Sequence, residues 1–235
     1  MQADDGVGQV VAGRYLTERV LGRGGMATVY AAQDTETGRQ VALKLLRREL
    51  ARDETVRKRF DREIQAASRL KHPNIIEVYD HGTDEDDAFI VMELAHGRDL
   101  LKALSQQRPM DPLRAVRILA QVCSALAVAH DNGVVHRDLK PENVVLVEDA
   151  DALGGERAKV LDFGIAKVVA PPEGKSAAGS PDDPPSYVTK TALTRLGTIV
   201  GTPAYMSPEQ CRAGEIDGRS DLYAAGVLLY QLVTG

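Results

Sequence analysis

His136-Arg137-Asp138-Leu139-Lys140-Pro141-Glu142-Asn143, followed further on by Asp162-Phe163-Gly164, is the stretch on which the reading of this chain turns. It lies between a helical pattern that opens at the capped start Asp111-Pro112 and runs through Ala129, and a short apolar run, Val144 to Val147, that reads as a strand. Lys159 to Leu161 reads as a second short strand, across a loop holding Gly154-Gly155. The plain reading of Asp138 is a solvated loop aspartate. That reading leaves Lys140 and Asn143, two and five residues later, unexplained.

Towards the N-terminus the pattern changes to hairpins. Tyr15 to Leu21 and Thr28 to Gln33 have strand character on either side of Leu21-Gly22-Arg23-Gly24-Gly25-Met26-Ala27-Thr28-Val29, and Thr35 to Gly38 is a turn before a third strand, Arg39 to Leu46. In that strand Val41, Leu43 and Leu45 share one face and Ala42, Lys44 and Leu46 the other, so Lys44 is a charge on an apolar face. Asp53 to Leu70 predicts a helix, with Val56, Phe60, Ile64, Ala67 and Leu70 on one stripe. Glu63 on that helix is a candidate partner for Lys44, since pairing relieves the burial cost of both charges. Asn74 to Asp80 and Ala88 to Leu94 read as two more strands, and Asp99 opens a short helix. A strand-rich opening third around one helix, then a mainly helical remainder, means two unequal lobes.

Glycines in the first turn let the backbone approach a ligand and aim N–H groups at phosphate oxygens. Gly22, Gly24 and Ala27 also satisfy the dinucleotide fingerprint G-x-G-x-x-[GA]. That motif runs from strand into helix, whereas here it runs from strand into strand, which disfavours a nicotinamide-binding oxidoreductase. Gly174-Lys175-Ser176 imitates the end of a Walker loop but has Val169 where the first glycine belongs.

Composition bounds the rest. At ~150 residues per domain, 235 residues allow one large domain or two modest lobes. Charged residues make up 27% and hydrophobic ones 43%, which excludes wholesale disorder. The net charge of −5 offers no basic excess to neutralise phosphates, so nucleic acid is not an expected partner. Two cysteines, Cys123 and Cys211, exclude a disulfide framework and a four-cysteine zinc site. The acidic N-terminus lacks a signal pattern, and the best apolar run, Leu222 to Gly235, is short of the ~20 residues that span a bilayer, so no membrane contact is expected within these residues. Residues 170–190 hold five of the 11 prolines with Ser, Gly and Asp, the composition of a mobile loop.

Taken together, the motifs resemble a serine/threonine protein kinase of the kind found in bacteria: LGRGGMATVY, VALK, the helix glutamate, HRDLKPEN, DFG, GTPAYMSPE and SDLYAAG stand in family order over roughly Tyr15 to Gly235. The resemblance implies an α+β, bilobal fold. Residues 1–14 would be an extension and 15–94 a small antiparallel lobe with one regulatory helix. Residues 95–235 would be a mainly helical lobe with 165–206 as its activation segment. It implies ATP with Mg²⁺, or alternatively Mn²⁺, as cofactors, protein substrates with Ser or Thr acceptors, and a cytoplasmic domain. A homodimer through the small lobe follows by analogy only.

Residue by residue, the resemblance makes Asp138 the group that accepts or orients the acceptor hydroxyl's proton and Lys140 the cation steadying the transferring phosphoryl. Asn143 and Asp162 would hold the metal, and Lys44, fixed by Glu63, the α- and β-phosphates. The segment Leu21, Gly22, Arg23, Gly24, Gly25, Met26, Ala27, Thr28 and Val29 would cover ATP. Leu21, Val29 and Ala42 would roof the adenine slot, with Val145 on its floor, Met92 at the rear and the backbone of Glu93 and Ala95 bonding the base. His136 would pack under the loop without transferring a proton. Arg137 would receive a phosphate carried by Thr198 or Thr194, and Thr202 would shape the acceptor site. Lys140 and Thr202 favour Ser/Thr over Tyr acceptors. In such a protein further helices cover the one that starts at Asp221, so Val227, Leu228, Leu232 and Val233 are expected to lose cover here, Glu209 to lack an arginine partner, and this chain alone to be marginally stable and weakly active. The alternative is an inactive nucleotide-binding fragment or scaffold, which would bind ATP without transferring phosphate.

Overall fold

Alternating apolar and polar residues separated by glycine-bearing turns build a six-stranded antiparallel sheet in the order β1-β2-β3-β4-β6-β5. Its strands are β1 Val10–Val11, β2 Tyr15–Arg23, β3 Ala27–Asp34, β4 Gln40–Leu46, β5 Val78–Asp84 and β6 Asp87–Glu93. The structure, a computed structural model, describes residues 6–25, 27–47, 54–84, 87–163, 203–212 and 214–235. Met26, Gly164, the proline-rich 170–190 stretch, Thr194, Thr198 and Thr202 lie outside the described residues.

The two faces of β4 do different work. Val41 and Leu43 join Tyr15, Tyr30, Phe89 and Val91 in the outer core. On the other face, Leu46 packs with Phe60 and Ile64 of helix α1 (Glu54–Ala67), while Ala42 packs with Ile76 and Met92. Lys44 sits between these two clusters, opposite Ile90 of β6. The strand expected over Asn74 to Asp80 begins later, at Val78. The reason is tertiary: Ile75 belongs to the core of the second lobe, and Asn74 Nδ2 donates to Gln121 Oε1 and to the Ala158 carbonyl, both at 2.8 Å. These residues dock one lobe on the other instead of extending the sheet.

The second lobe is helical around a three-stranded antiparallel sheet, β7-β8-β9 (Gly97–Asp99, Val144–Glu148, Glu156–Val160). Asp99 caps α2 (Leu100–Gln106) by accepting from Lys102 N, and Asp111 caps α3 (Pro112–Asp131) by accepting from Arg114 N. By length and composition α3 is apolar enough to cross a membrane, with a mean hydropathy of 1.4, which the sequence reading did not anticipate. Its stripe Ala115, Ile118, Val122, Ala125, Leu126 and Ala129 is instead buried in the core of this lobe. Helix α5 (Gly218–Thr234) brings Ala224, Ala225, Leu228 and Leu232 to the same core. Leu228 and Leu232, expected to lose cover, are both 0% exposed, because that face meets α3. The uncovered side of α5 carries Leu222, Tyr223 and Tyr230. Glu209, in the short helix α4 (Pro208–Cys211), has Ser220 Oγ donating to its carboxylate, which holds it below the usual carboxylate range.

Candidate active site

The loop 136–143 is held by its backbone. Asp221, 1% exposed at the start of α5, accepts from His136 N and Arg137 N, each at 2.8 Å, and from His130 Nε2 at 2.8 Å. Arg137 thereby adopts a left-handed conformation, φ 69. The fully buried His136 accepts from Asp138 N at Nδ1 (3.2 Å) and donates from Nε2 to the Leu161 carbonyl (2.7 Å), so it is the Nε2–H tautomer. Phe163 stands edge-on to its ring at 4.9 Å. With both nitrogens committed, His136 has a packing role.

Asp138 follows with its carboxylate partly exposed. Lys140 Nζ donates to Asp138 Oδ2 at 2.7 Å, and Asn143 Nδ2 donates to the Asp138 carbonyl at 2.7 Å and to Oδ2 at 3.3 Å. The spacing of two and five residues works because Pro141–Asn143 is a single 3₁₀ turn that folds Asn143 back under Asp138. Leu161 N then donates to the Asn143 carbonyl (2.9 Å), which brings Asp162 beside the group. Asp162 is left-handed too, φ 60, and its Oδ1 lies 2.7 Å from Lys44 Nζ. Burial pushes the Asp162 carboxyl up, but the Lys44 ammonium outweighs it and keeps the group below the usual carboxylate range. Glu63 lies on α1 next to Ile64, whose side chain packs with Ile90 across from Lys44.

Above this group the glycine segment is a hairpin turn. Gly22 pairs with Val29 and Arg23 with Thr28, and Gly24 N donates to the Ala27 carbonyl at 2.8 Å. Gly25 completes the described part of the turn. Strand runs into strand, so the dinucleotide fingerprint has no helix to aim at a pyrophosphate. Beneath it, Ala42, Met92 and Ile76 are buried with Val29, Leu94, Ala95 and Leu161 packed on them. Of the expected slot residues, Val29, Ala42, Met92 and Ala95 meet in that cluster. Leu21 is 40% exposed on the strand, and Val145 is half-buried on β8 opposite Lys159.

Ile76, Leu94 and Leu161 were missed because nothing local separates them from ordinary core. Lys159 was missed as well. Its ammonium bonds both oxygens of Glu93, at 2.8 and 2.9 Å, tying the connection between the lobes to β9. The only sequence signal was a lysine beside the apolar pair Val160-Leu161.

The donor set suits a hard divalent cation. Asp162 is held ionised, and Asn143, with Nδ2 committed to Asp138, offers its carbonyl oxygen. Among the described residues no group of three His, Cys, Asp or Glu side chains is placed to hold a metal.

Comparison with known proteins agrees with this geometry. A family model described as protein kinase domain matches residues 15–235. The chain is 48% identical over 233 residues to the serine/threonine-protein kinase pkn3 of Myxococcus xanthus, covering 99% of this chain and 40% of that one. It is 40% identical over 229 residues to the serine/threonine-protein kinase PrkC of Bacillus subtilis, covering 97% and 32%. The chain thus spans less than half the length of these relatives. Among solved structures it is similar to the PknI kinase domain of Mycobacterium tuberculosis, with a TM-score of 0.70 and 30% identity over 96% of this chain and 76% of that one.

Proposed function

This chain belongs to the protein kinase domain family, and from that premise we propose that it transfers the γ-phosphoryl group of ATP to serine or threonine hydroxyls of proteins, itself included. One observation carries the reading: Asp138, Lys140 and Asn143 form a single hydrogen-bonded group, joined through the Leu161–Asn143 backbone bond to the Lys44–Asp162 ion pair. A solvated loop aspartate would need none of these partners.

Bound Mg²⁺ and ATP supply the phosphoryl group and the charge that screens it. The protein's residues do the rest by position and charge, without a covalent intermediate. Asp138 orients the acceptor alcohol and takes its proton as the oxygen bonds to phosphorus and the bridging oxygen leaves. Lys140 neutralises charge spreading on the transferred group. Asp162 and Asn143 would hold the cation, and Lys44, whose ammonium lies beside Asp162, would neutralise phosphate charge. The Ala42–Met92–Ile76 cluster shields the base, and the Glu93 and Ala95 backbone bonds it. Protein substrates, an ATP-rich and thiol-reducing cytoplasm suited to the free Cys123 and Cys211, and self-association through the small lobe belong to the same reading.

The test is transfer of labelled phosphate by the full-length protein with Mg²⁺ and ATP to a Ser/Thr-containing protein. Asp138→Asn should lower the rate by ~10²–10⁴-fold while leaving ATP binding intact. Transfer at the wild-type rate by this variant would remove the assignment, and binding of ATP without transfer by the wild type would favour the scaffold.

A further inference from the structure

Arg137 holds a backbone conformation that a non-glycine residue keeps only when its surroundings impose it. The two peptide units that flank its Cα are each gripped. Arg137 N donates to Asp221 Oδ1 at 2.8 Å, and the Arg137 carbonyl accepts from Gln210 Nε2 at 2.7 Å. Gln210 comes from α4, 48 residues beyond Asp162 in the chain, and its amide is fixed at both ends. Oε1 accepts from Ser207 N at 2.9 Å, closing the reciprocal cap in which Ser207 Oγ accepts from Gln210 N at 3.3 Å. A cap of this kind needs only the side-chain oxygen, and glutamate serves it as well as glutamine. The amide nitrogen is surplus to the cap, and it donates to the catalytic loop.

We propose that Gln210 is a positioning residue for phosphoryl transfer: its Nε2–H holds the Arg137 carbonyl, fixes the left-handed turn there, and so sets the direction of the Asp138 carboxylate one residue on. The inference rests on the phosphotransfer reading above. It also makes α4 and the catalytic loop one rigid unit, so displacement of α4 would disarm Asp138.

Gln210→Glu and Gln210→Met separate this role from capping. Gln210→Glu keeps the oxygen that caps α4 and loses the donor to Arg137; Gln210→Met loses both. In the full-length protein, Gln210→Glu should lower kcat about tenfold, the loss of one aligned hydrogen bond in the transition state. Its KM for ATP should stay within about twofold, and its melting temperature should fall by no more than about 4 °C, the share of that one hydrogen bond. Gln210→Met should match that kcat loss and melt lower. Hydrogen exchange at the amides of residues 136–138 should quicken about tenfold in Gln210→Glu. Wild-type kcat and unchanged exchange in Gln210→Glu overturn the inference, as does a kcat that falls only in the variant with the lower melting temperature. If the wild type itself transfers no phosphate, the functional reading falls, and the exchange measurement still decides whether Gln210 holds the loop.

Discussion

Replacing Asp221 by alanine should unfold this protein far more readily than its distance from the reacting groups suggests. The carboxylate is 1% exposed and accepts three hydrogen bonds, two from the backbone of His136 and Arg137 and one from His130 Nε2. The His130 side chain is 24% exposed and can turn to water, so its share of the loss is small. The two backbone N–H groups cannot turn away. Each donor orphaned in the interior costs ~1–3 kcal/mol, which makes ~2–6 kcal/mol for the pair. A domain has only ~5–15 kcal/mol of stability, so the variant forfeits a large share of it. At ~2–4 °C per kcal/mol for a chain of this size, the melting temperature should drop by roughly 4–24 °C. Asp221→Asn keeps one oxygen for one N–H and presents its NH₂ to the other, so it should lose less than the alanine variant. Urea unfolding of the purified full-length protein and its two variants measures the order and the size. An alanine variant within about 1 kcal/mol of wild type would refute the claim that this carboxylate holds the loop.

Three further outcomes follow from contacts outside the reacting group. Lys159→Met cuts the ion pair on Glu93 and should raise the KM for ATP about three- to tenfold with little change in kcat, the sign of lost uniform binding; initial rates at varied ATP decide it, and an unchanged KM dismisses the contact. Arg114 bonds both oxygens of Glu156 at 2.7 Å, and this bond, against burial, holds the Glu156 carboxyl below its ordinary 4.5. Because the folded value is depressed, the stabilisation is complete above about pH 4.5 and is lost as the pH falls through the folded value. Arg114→Ala should therefore cost about 1 kcal/mol at pH 7, with the gap to wild type narrowing as urea titrations are taken to acid pH; a constant gap contradicts the assignment. Gly97→Ala would place a Cβ 2.2 Å from the Leu146 carbonyl oxygen, across the β7–β8 pairing, where backbone cannot yield. It should destabilise by ~1–3 kcal/mol in thermal melts, and a melt matching wild type would show that β7 shifts freely.

What could be read from the sequence, and what could not, divides along a physical line. Phosphate-turn, capping and strand patterns depend on neighbours in the chain, so the first hairpin, the Asp99 and Asp111 caps and the two faces around Lys44 were visible locally. Ile75 and Ile76 show the limit. Both suit a strand, yet Ile75 is buried in the second lobe's core and Ile76 under the slot, with Ile76 N bonded to the Val160 carbonyl at 3.0 Å. No local preference distinguishes a residue that extends a sheet from one that joins two lobes. Strand β7 is three residues with no alternation to detect, and it exists because Gly97 lets the chain lie against Leu146.

The same line separates the motif residues from those that aim them. Asp138, Lys140 and Asn143 are close in sequence and identifiable as a set, whereas the groups that fix their frame, Asp221 and Gln210, come from 83 and 72 residues beyond Asp138. Asp138 is therefore positioned by two contacts to Arg137, one to each of the peptide units that flank its Cα, made by separate helices. Disturbing either helix should reach the carboxylate without touching ATP. Asp221→Asn and Gln210→Glu should therefore combine non-additively in kcat, because each frees one side of the same residue, Arg137. A product of the two single effects, within about 0.5 kcal/mol, would mean that the two contacts act on Asp138 independently.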